Sequence, residues 1–302
     1  MKAKLKIGFL LLCFFNVAQA VSDVKVEIPL IGQNCNERVA KIKSVPGRLK
    51  IPEGDGVYPA VVIFHSNAGV IGVGDNYANR LVEKGFITLE VDSYTPRFIR
   101  NGNDNNAPTP CDRLTDAWSA LYFLSKNPKV NIKKVGNIGL SSGGVVSLLL
   151  ARGAFPKGMN SPDEGIQAIR KMRYKKFVVL YPACANVLYD ENLNWMRNPN
   201  RPRKRPTDGE LLLIVGTKDD MEFDAKKDCP KVIDEWSQFN LNGSLNLIEG
   251  ATHAFDWPNP PPPSFSRFGK AGKGTSLTMT YSQKDTLNTE RQIIEFFQEF
   301  NR

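Results

Sequence analysis

Val135-Gly136-Asn137-Ile138-Gly139-Leu140-Ser141-Ser142-Gly143-Gly144 decides how the rest of the chain is read. An apolar run ending at Leu140 predicts a buried strand, and the aliphatic stretch after Gly144 predicts a helix. The spacing Gly139-x-Ser141-x-Gly143 predicts a sharp turn between them. Such a turn forces its central residue into a strained conformation and leaves no room for side chains two positions before and after it. Ser141 then stands at the tip, with the N–H of Ser142 and the helix N-terminus behind it, facing any oxyanion that forms. The Ser142 hydroxyl is an alternative nucleophile, but it lies off the centre of the motif.

Working outward, further short apolar runs occur at 60–64, 86–91, 135–140, 177–181 and 211–215. Nearly continuous runs of this length suit strands buried on both faces of a parallel sheet. Between them, Leu114, Trp118, Leu121 and Leu124 recur at helical spacing, as do Val232, Trp236 and Phe239, and then Ile293, Phe297 and Phe300. The N-terminal stretches Val24 to Ile28 and Lys41 to Ile51, the second broken at Pro46-Gly47, predict antiparallel strands. The alternation predicts a single doubly wound, mostly parallel α/β domain with helices on both faces over residues 21–302.

A nucleophilic serine needs a base, and the base needs an orienting carboxylate. Only His65 and His253 exist in the chain, too few for most multi-histidine metal sites. His65 precedes the serine, ends a strand and opens Ser66-Asn67-Ala68-Gly69, which gives it a structural role in positioning that loop. His253 is left as the base. The apolar run at 211–215 leads into Thr217-Lys218-Asp219-Asp220, placing Asp219 just past a carboxyl strand end, with Asp220 and Asp224 as rivals. The order Ser141, Asp219, His253 is that of an α/β-hydrolase triad, whose second oxyanion donor comes from the loop after an early strand, here the N–H of Asn67.

His65-x-x-x-Gly69, Asp92-Ser93-Tyr94-x-Pro96-Arg97, Gly139-Leu140-Ser141-Ser142-Gly143-Gly144, Tyr181-Pro182-x-Cys184, Gly216-x-x-Asp219-Asp220, Asp228-Cys229-Pro230 and His253-Ala254-Phe255-Asp256 together resemble the dienelactone hydrolase family, in its exported branch. The resemblance extends over about residues 55–300. It implies an α/β-hydrolase fold without a large cap domain, an ester or lactone hydrolysed through an acyl-enzyme, no metal and no cofactor. It also implies the triad Ser141, Asp219 and His253, with oxyanion donors at Asn67 and Ser142. Two departures stand out. The family enzyme has a cysteine nucleophile and a controlling glutamate, where this chain has Ser141 and Ser66. That enzyme also grips a substrate carboxylate with two arginines. Arg97 matches one of them, or is instead a structural ion pair, while the other position is Trp257, which suits a more apolar or aromatic substrate group.

The N-terminus has the form of a secretory signal peptide over residues 1–20. Lys2, Lys4 and Lys6 precede an apolar core at 7–15, and Ala18-Gln19-Ala20 supplies the cleavage pattern. The alternative, an uncleaved anchor, needs a longer apolar stretch. A lipoprotein site at Cys13 is disfavoured by Leu12 before it. Cleavage would leave Cys35, Cys111, Cys184 and Cys229, and an even number in an exported chain predicts disulfides over buried thiols, with three possible connectivities. The family resemblance pairs Cys184 with Cys229, leaving Cys35 with Cys111.

The net charge of +9 falls to +6 without the leader, and two basic stretches, 170–176 and the proline-rich 197–206, account for the rest. They read as solvated surface loops, or as a weak docking patch for anionic envelope surfaces, and do not indicate nucleic-acid binding. Pro260 to Pro263 reads as a surface polyproline loop. The chain is thus expected to be a periplasmic or secreted hydrolase of a small-molecule ester or lactone. The other readings are a peptidase or acyltransferase on the same triad, or a non-catalytic binding protein on the same fold. Glu90, charged within an apolar run, requires an edge position or a buried partner.

Overall fold

The computed structural model describes residues 21–32, 35, 42–104, 106–156, 163–189, 209–238, 241–266 and 269–301. The expected signal peptide at 1–20, Phe239 and the basic stretch 197–206 lie outside the described residues. One eight-stranded sheet runs in the order β1-β2-β4-β3-β5-β6-β7-β8. Its strands are β1 (Val21–Pro29), β2 (Ser44–Pro52), β3 (Tyr58–Phe64), β4 (Ile87–Val91), β5 (Val130–Leu140), β6 (Lys176–Leu180), β7 (Glu210–Gly216) and β8 (Asn242–Ile248). β3 to β8 pair in parallel, while β1 and β2 pair antiparallel at one end.

The apolar runs bury both faces, as a doubly wound sheet requires. Val62, Val135, Val179 and Leu213 face one cluster, into which α2 (Pro110–Ser125), α3 (Ser142–Ala151), α4 (Glu164–Lys171), α5 (Cys184–Tyr189) and α6 (Ala225–Ser237) pack. Val61, Ile63, Ile138 and Val178 face the other, covered by α1 (Val73–Val82) and by a C-terminal helix over Gln283–Gln298. The periodic residues Leu114, Trp118, Leu121, Leu124, Val232, Trp236, Ile293 and Phe297 are all buried. α2 starts four residues before Leu114, the first residue of its apolar pattern, because Thr109 and Asp112 form a capping box.

Two expectations are corrected. β2 runs unbroken through Pro46-Gly47. Proline is tolerated here because it lies just beyond the β2–β4 ladder, which begins at Gly47 opposite Val91, while its carbonyl accepts the Asp92 N–H at 2.9 Å. Glycine is required because a Cβ at 47 would lie 2.9 Å from the Leu89 side chain and 3.1 Å from the Glu90 carbonyl oxygen. Residues 170–176 are not a solvated loop: Arg170 and Lys171 close α4, 172–175 connect it to β6, Tyr174 is buried, and Lys176 is buried between Glu210 and Glu299 at 2.6 and 2.7 Å. Pro260 to Pro263 is the expected surface loop, with Pro262 and Pro263 exposed; it leads into a two-stranded hairpin, β9 (Ser264–Ser266) with β10 (Thr275–Leu277), and Pro261 lines a cavity. This hairpin covers part of the carboxyl end of the sheet, and no large cap is present among the described residues.

Both disulfides have the connectivity drawn from the resemblance. Cys35–Cys111 ties the β1–β2 connection to α2, and Cys184–Cys229 ties α5 to α6. No helix among the described residues is long and apolar enough to cross a membrane.

Candidate active site

At the end of β5 the backbone makes the turn its glycines anticipate. Ser141 has φ 50° and ψ −113°, and α3 starts at the next residue. A Cβ on residue 139 would lie 2.2 Å from the Gly143 carbonyl oxygen, and one on residue 143 would lie 2.2 Å from that of Phe64. The conformation is held by Ser141 N–H donating to Leu180 O at 2.9 Å and Gly144 N–H donating to Ser141 O at 2.8 Å. Strain of this kind persists only where surrounding contacts overdetermine it.

The last two parallel strands deliver the partners. β7 ends at Gly216, where a Cβ would meet the Ala251 carbonyl at 2.2 Å, so the loop after β8 passes directly over it. That loop is fastened by Thr217 N–H to Ile248 O at 3.0 Å and Lys218 N–H to Ala251 O at 2.9 Å. The result is a chain of contacts: Ser141 Oγ lies 2.9 Å from His253 Nε2, and His253 Nδ1 lies 2.8 Å from Asp219 Oδ2. Asp219 Oδ1 accepts from Met221 N–H at 2.8 Å, which fixes the carboxylate. The rivals are engaged elsewhere: Asp220 accepts from Thr278 N–H and pairs with Lys270, and Asp224 caps α6 through Lys226 N–H. All three members of the chain are buried. An imidazole so placed can take a proton from the hydroxyl while the carboxylate holds its tautomer.

His65 is a loop-positioning residue, as expected. Its Nδ1–H donates to Ser66 O at 2.7 Å and its Nε2 accepts from Ser93 N–H at 3.1 Å. Burial, reinforced by the neighbouring Arg113 cation, pushes it down to about 3, so the ring is neutral. Asn67 lines the cavity above Ser141, with its Oδ1 accepting from Tyr94 O–H at 3.2 Å and its carbonyl accepting from Gly102 N–H at 2.7 Å. The Ser142 Oγ accepts from Arg113 at 2.8 Å, whereas it is the Ser141 Oγ that meets His253. Of its two expected roles, Arg97 takes the ion pair. Its side chain is wholly buried in a bidentate contact with Asp116 at 2.8 and 2.9 Å, and it is absent from the cavity lining. Trp257 does line the cavity, whose volume is about 230 Å³ and which also holds Ser141 and His253.

Several supporting residues carry no local signal in sequence. Arg113 on α2 bridges the elbow and the loop after β3, donating to Ser142 Oγ and to His65 O at 2.5 Å. Asp256 is buried and accepts from Tyr77 O–H at 2.6 Å and Tyr181 O–H at 2.7 Å, and the Tyr181 ring meets His253 edge-on at 5.1 Å. Burial raises Asp256, and burial together with that carboxyl raises both tyrosines well above the usual phenol value, so the phenols stay protonated as donors. Glu222 accepts from the N–H groups of Cys184 and Ala185, tying the loop that carries Tyr181 to the one that carries Asp219. Burial, with Asp219 close by, pushes Glu222 up to about 8. Glu222 with Cys184 and Cys229 is the one cluster among the described residues close enough to ligate a metal, and its sulfurs are joined to each other.

A serine on a strand–helix turn, a carboxylate after β7 and a histidine after β8, on a mostly parallel sheet with helices on both faces, define the α/β-hydrolase fold. Within that class, residues 45–159 match the dienelactone hydrolase family, a stretch that contains the elbow and the oxyanion loop but neither Asp219 nor His253. The structure is similar to the dienelactone hydrolase-like promiscuous phosphotriesterase P91 from metagenomic libraries, with a TM-score of 0.60, 18% identity, and coverage of 93% of this chain and 99% of that one. It is similar also to a hyperthermophilic esterase from the archaeon Pyrobaculum calidifontis, with a TM-score of 0.55, 16% identity, and coverage of 93% and 86%. In sequence it is 36% identical over 73 residues to the uncharacterized protein PA2218 of Pseudomonas aeruginosa; that match spans 24% of this chain and only 19% of the relative.

Proposed function

We propose that this protein is an exported serine hydrolase that cleaves a small-molecule ester or lactone through an acyl-enzyme. The observation that carries the reading is the Ser141–His253–Asp219 chain of contacts, at 2.9 and 2.8 Å, opening on a cavity. His253 Nε2 takes the Ser141 proton as Oγ attacks the carbonyl carbon, and the N–H groups of Asn67 and Ser142 receive the developing oxyanion. Collapse expels the alcohol, which leaves with the proton from His253. Water, deprotonated by the same imidazole, then releases the acid and restores Ser141. Asp219 holds the imidazole tautomer and stabilises the imidazolium.

Export is supported by the leader-like residues 1–20 and by the two disulfides, which persist in oxidising compartments. The family match supports the reaction class. A fluorophosphonate probe should label Ser141 in the wild-type protein and leave Ser141→Ala unlabelled, with turnover of a panel of esters lost in parallel. Labelling of another residue, or ester turnover retained in Ser141→Ala, refutes the reading.

A further inference from the structure

The cavity beside Ser141 is built from two chain segments of opposite character. Asn67, on the oxyanion loop, and Asn101 and Asn103, on the loop that follows Arg97, form a polar side. The two loops are bound together by Gly102 N–H donating to Asn67 O at 2.7 Å, and a Cβ on residue 102 would lie 2.3 Å from Asn67 Oδ1, so the asparagines are adjacent by construction. Tyr94 occupies Asn67 Oδ1, which turns the Asn67 amide N–H group into the donor that remains for a ligand. Asn101 Oδ1 accepts from Asn103 N–H at 3.0 Å in a tight Asx turn. Trp257, Phe265, Leu277 and Met279, from the segment after His253 and the β9–β10 hairpin, make the other side mainly apolar, with the hydroxyls of Ser264 and Ser266 among them. Among the described residues lining this space, His253 is the only side chain able to carry a charge.

Resting on the hydrolase reading above, we infer that the substrate is a neutral ester with a hydroxylated part held by Asn67, Asn101 and Asn103 and a hydrocarbon part held by Trp257 and the hairpin. The chemistry follows from desolvation. Hydroxyl groups recover in amide hydrogen bonds what they lose on leaving water, whereas a carboxylate buried against neutral amides loses far more than it regains. A hydrocarbon chain gains most on the indole and thioether side. Amide N–H groups on three neighbouring asparagines suit the adjacent oxygens of vicinal hydroxyls.

Matched ester pairs test this on the intact disulfide-bonded protein. Glyceryl monohexanoate against propyl hexanoate places the diol on the alcohol, and hexyl 2,3-dihydroxypropanoate against hexyl propanoate places it on the acyl group. At least one diol ester should exceed its partner in kcat/KM by tenfold or more, since a site built to bond a hydroxyl discriminates against its absence. The ratio should fall at least fivefold in Asn101→Ala/Asn103→Ala, while Trp257→Ala should leave the ratio in place and flatten the dependence of rate on hydrocarbon length. Hexyl hydrogen succinate should be the poorest substrate of the set. Equal rates within both pairs, a preference for the anionic ester, or a diol preference that survives the double asparagine change would overturn the inference. Each of those results requires ester turnover that depends on Ser141, so they are distinct from failure of the hydrolase reading, in which fluorophosphonate leaves Ser141 unlabelled and no ester is cleaved.

Discussion

The loop after β3 and the loop after β8 each present a buried histidine at the carboxyl end of the sheet, and each ring uses both of its nitrogens. The partners differ. His65 is held between a backbone carbonyl and a backbone N–H, groups that neither release nor accept a proton, and Arg113 beside it further disfavours a positive ring. His253 lies between a carboxylate that compensates a positive ring and a hydroxyl whose proton it can take. Burial is common to both, so burial does not make a base. A proton-exchanging partner on one nitrogen and a fixed anion on the other do.

Removing the exchanging partner breaks the comparison most completely. Ser141→Ala should lower kcat/KM on any accepted ester by about 10⁴-fold or more, by analogy with other triads, while the circular dichroism spectrum is unchanged. Residual turnover within tenfold of wild type would remove His253 from its role as base. Matched substitutions at the two histidines come next. His253→Gln should cost at least about 10³-fold in kcat with little change in Tm. His65→Gln should do the reverse, losing about 1–3 kcal/mol of stability because buried backbone groups lose their partner, with a much smaller effect on turnover. Equal behaviour of the two variants would dissolve the distinction.

The disulfide between α5 and α6 holds the scaffold of the His253 side, because it sits where the loops carrying Tyr181 and Asp219 meet through Glu222. Closing 45 residues of chain, it should contribute about 4 kcal/mol on the chain-entropy account. Cys184→Ser/Cys229→Ser should show that loss in urea unfolding. Its turnover should also fall at temperatures well below its own Tm, since the catalytic loops lose their tie first. The Cys35–Cys111 bridge lies on the α2 side with Arg113, and its removal should lower Tm with less effect on turnover. If both double variants lose activity only on unfolding, the local role of the α5–α6 bridge is absent.

What sequence revealed followed from locality. The Gly-x-Ser-x-Gly spacing is a steric requirement written within five residues, and a choice between two histidines needs only their order along the chain. The central strands were legible because burial on both faces leaves continuous apolar runs. β8 was not, because as an edge strand it is mostly half-exposed and reads Asn242-Gly243-Ser244-Leu245-Asn246-Leu247-Ile248. The β9–β10 hairpin has strands of three residues each, too short to show a period. The supporting groups were hidden for another reason: Tyr77 meets Asp256 across 179 residues, and the bidentate partner of Arg97 lies on a different element, so no spacing rule reaches either. The local sequence around Arg97 fits a substrate clamp and an ion pair equally, and only the position of Asp116 separates them.

Glu90 gives the smallest and most selective test, since it lies in β4 under the His65 side of the sheet. β4 is an interior strand, flanked by β2 and β3, so the edge position that would have excused a charge does not apply. A carboxyl is present, but its compensation is not. The nearby cations Arg48 and Lys50 are committed to Asp75 at 3.0 and 2.7 Å, and Glu90 Oε1 has no hydrogen-bond partner among the described residues. Gly74 on α1 presses its backbone against that carboxyl, where a Cβ would lie 2.2 Å from Oε1. Burial first, then the Asp75 charge, pushes Glu90 up from 4.5 to about 7. An acid whose folded value is raised contributes fully below its unfolded value and loses that contribution as pH rises through its folded value, here between about 4.5 and 7. His65 has the opposite sign, because its value is depressed from 6.5 to about 3, and its contribution fades as pH falls through that interval. Glu90→Gln, neutral at every pH, should therefore gain on wild type by about 2–3 kcal/mol between pH 4.5 and pH 8 in urea unfolding. His65→Gln should narrow its deficit as pH is lowered from 7 to 4. Parallel stability curves for wild type and Glu90→Gln would mean that the carboxyl is compensated in solution, and the contrast between the two ends of the sheet would then rest on the histidines alone.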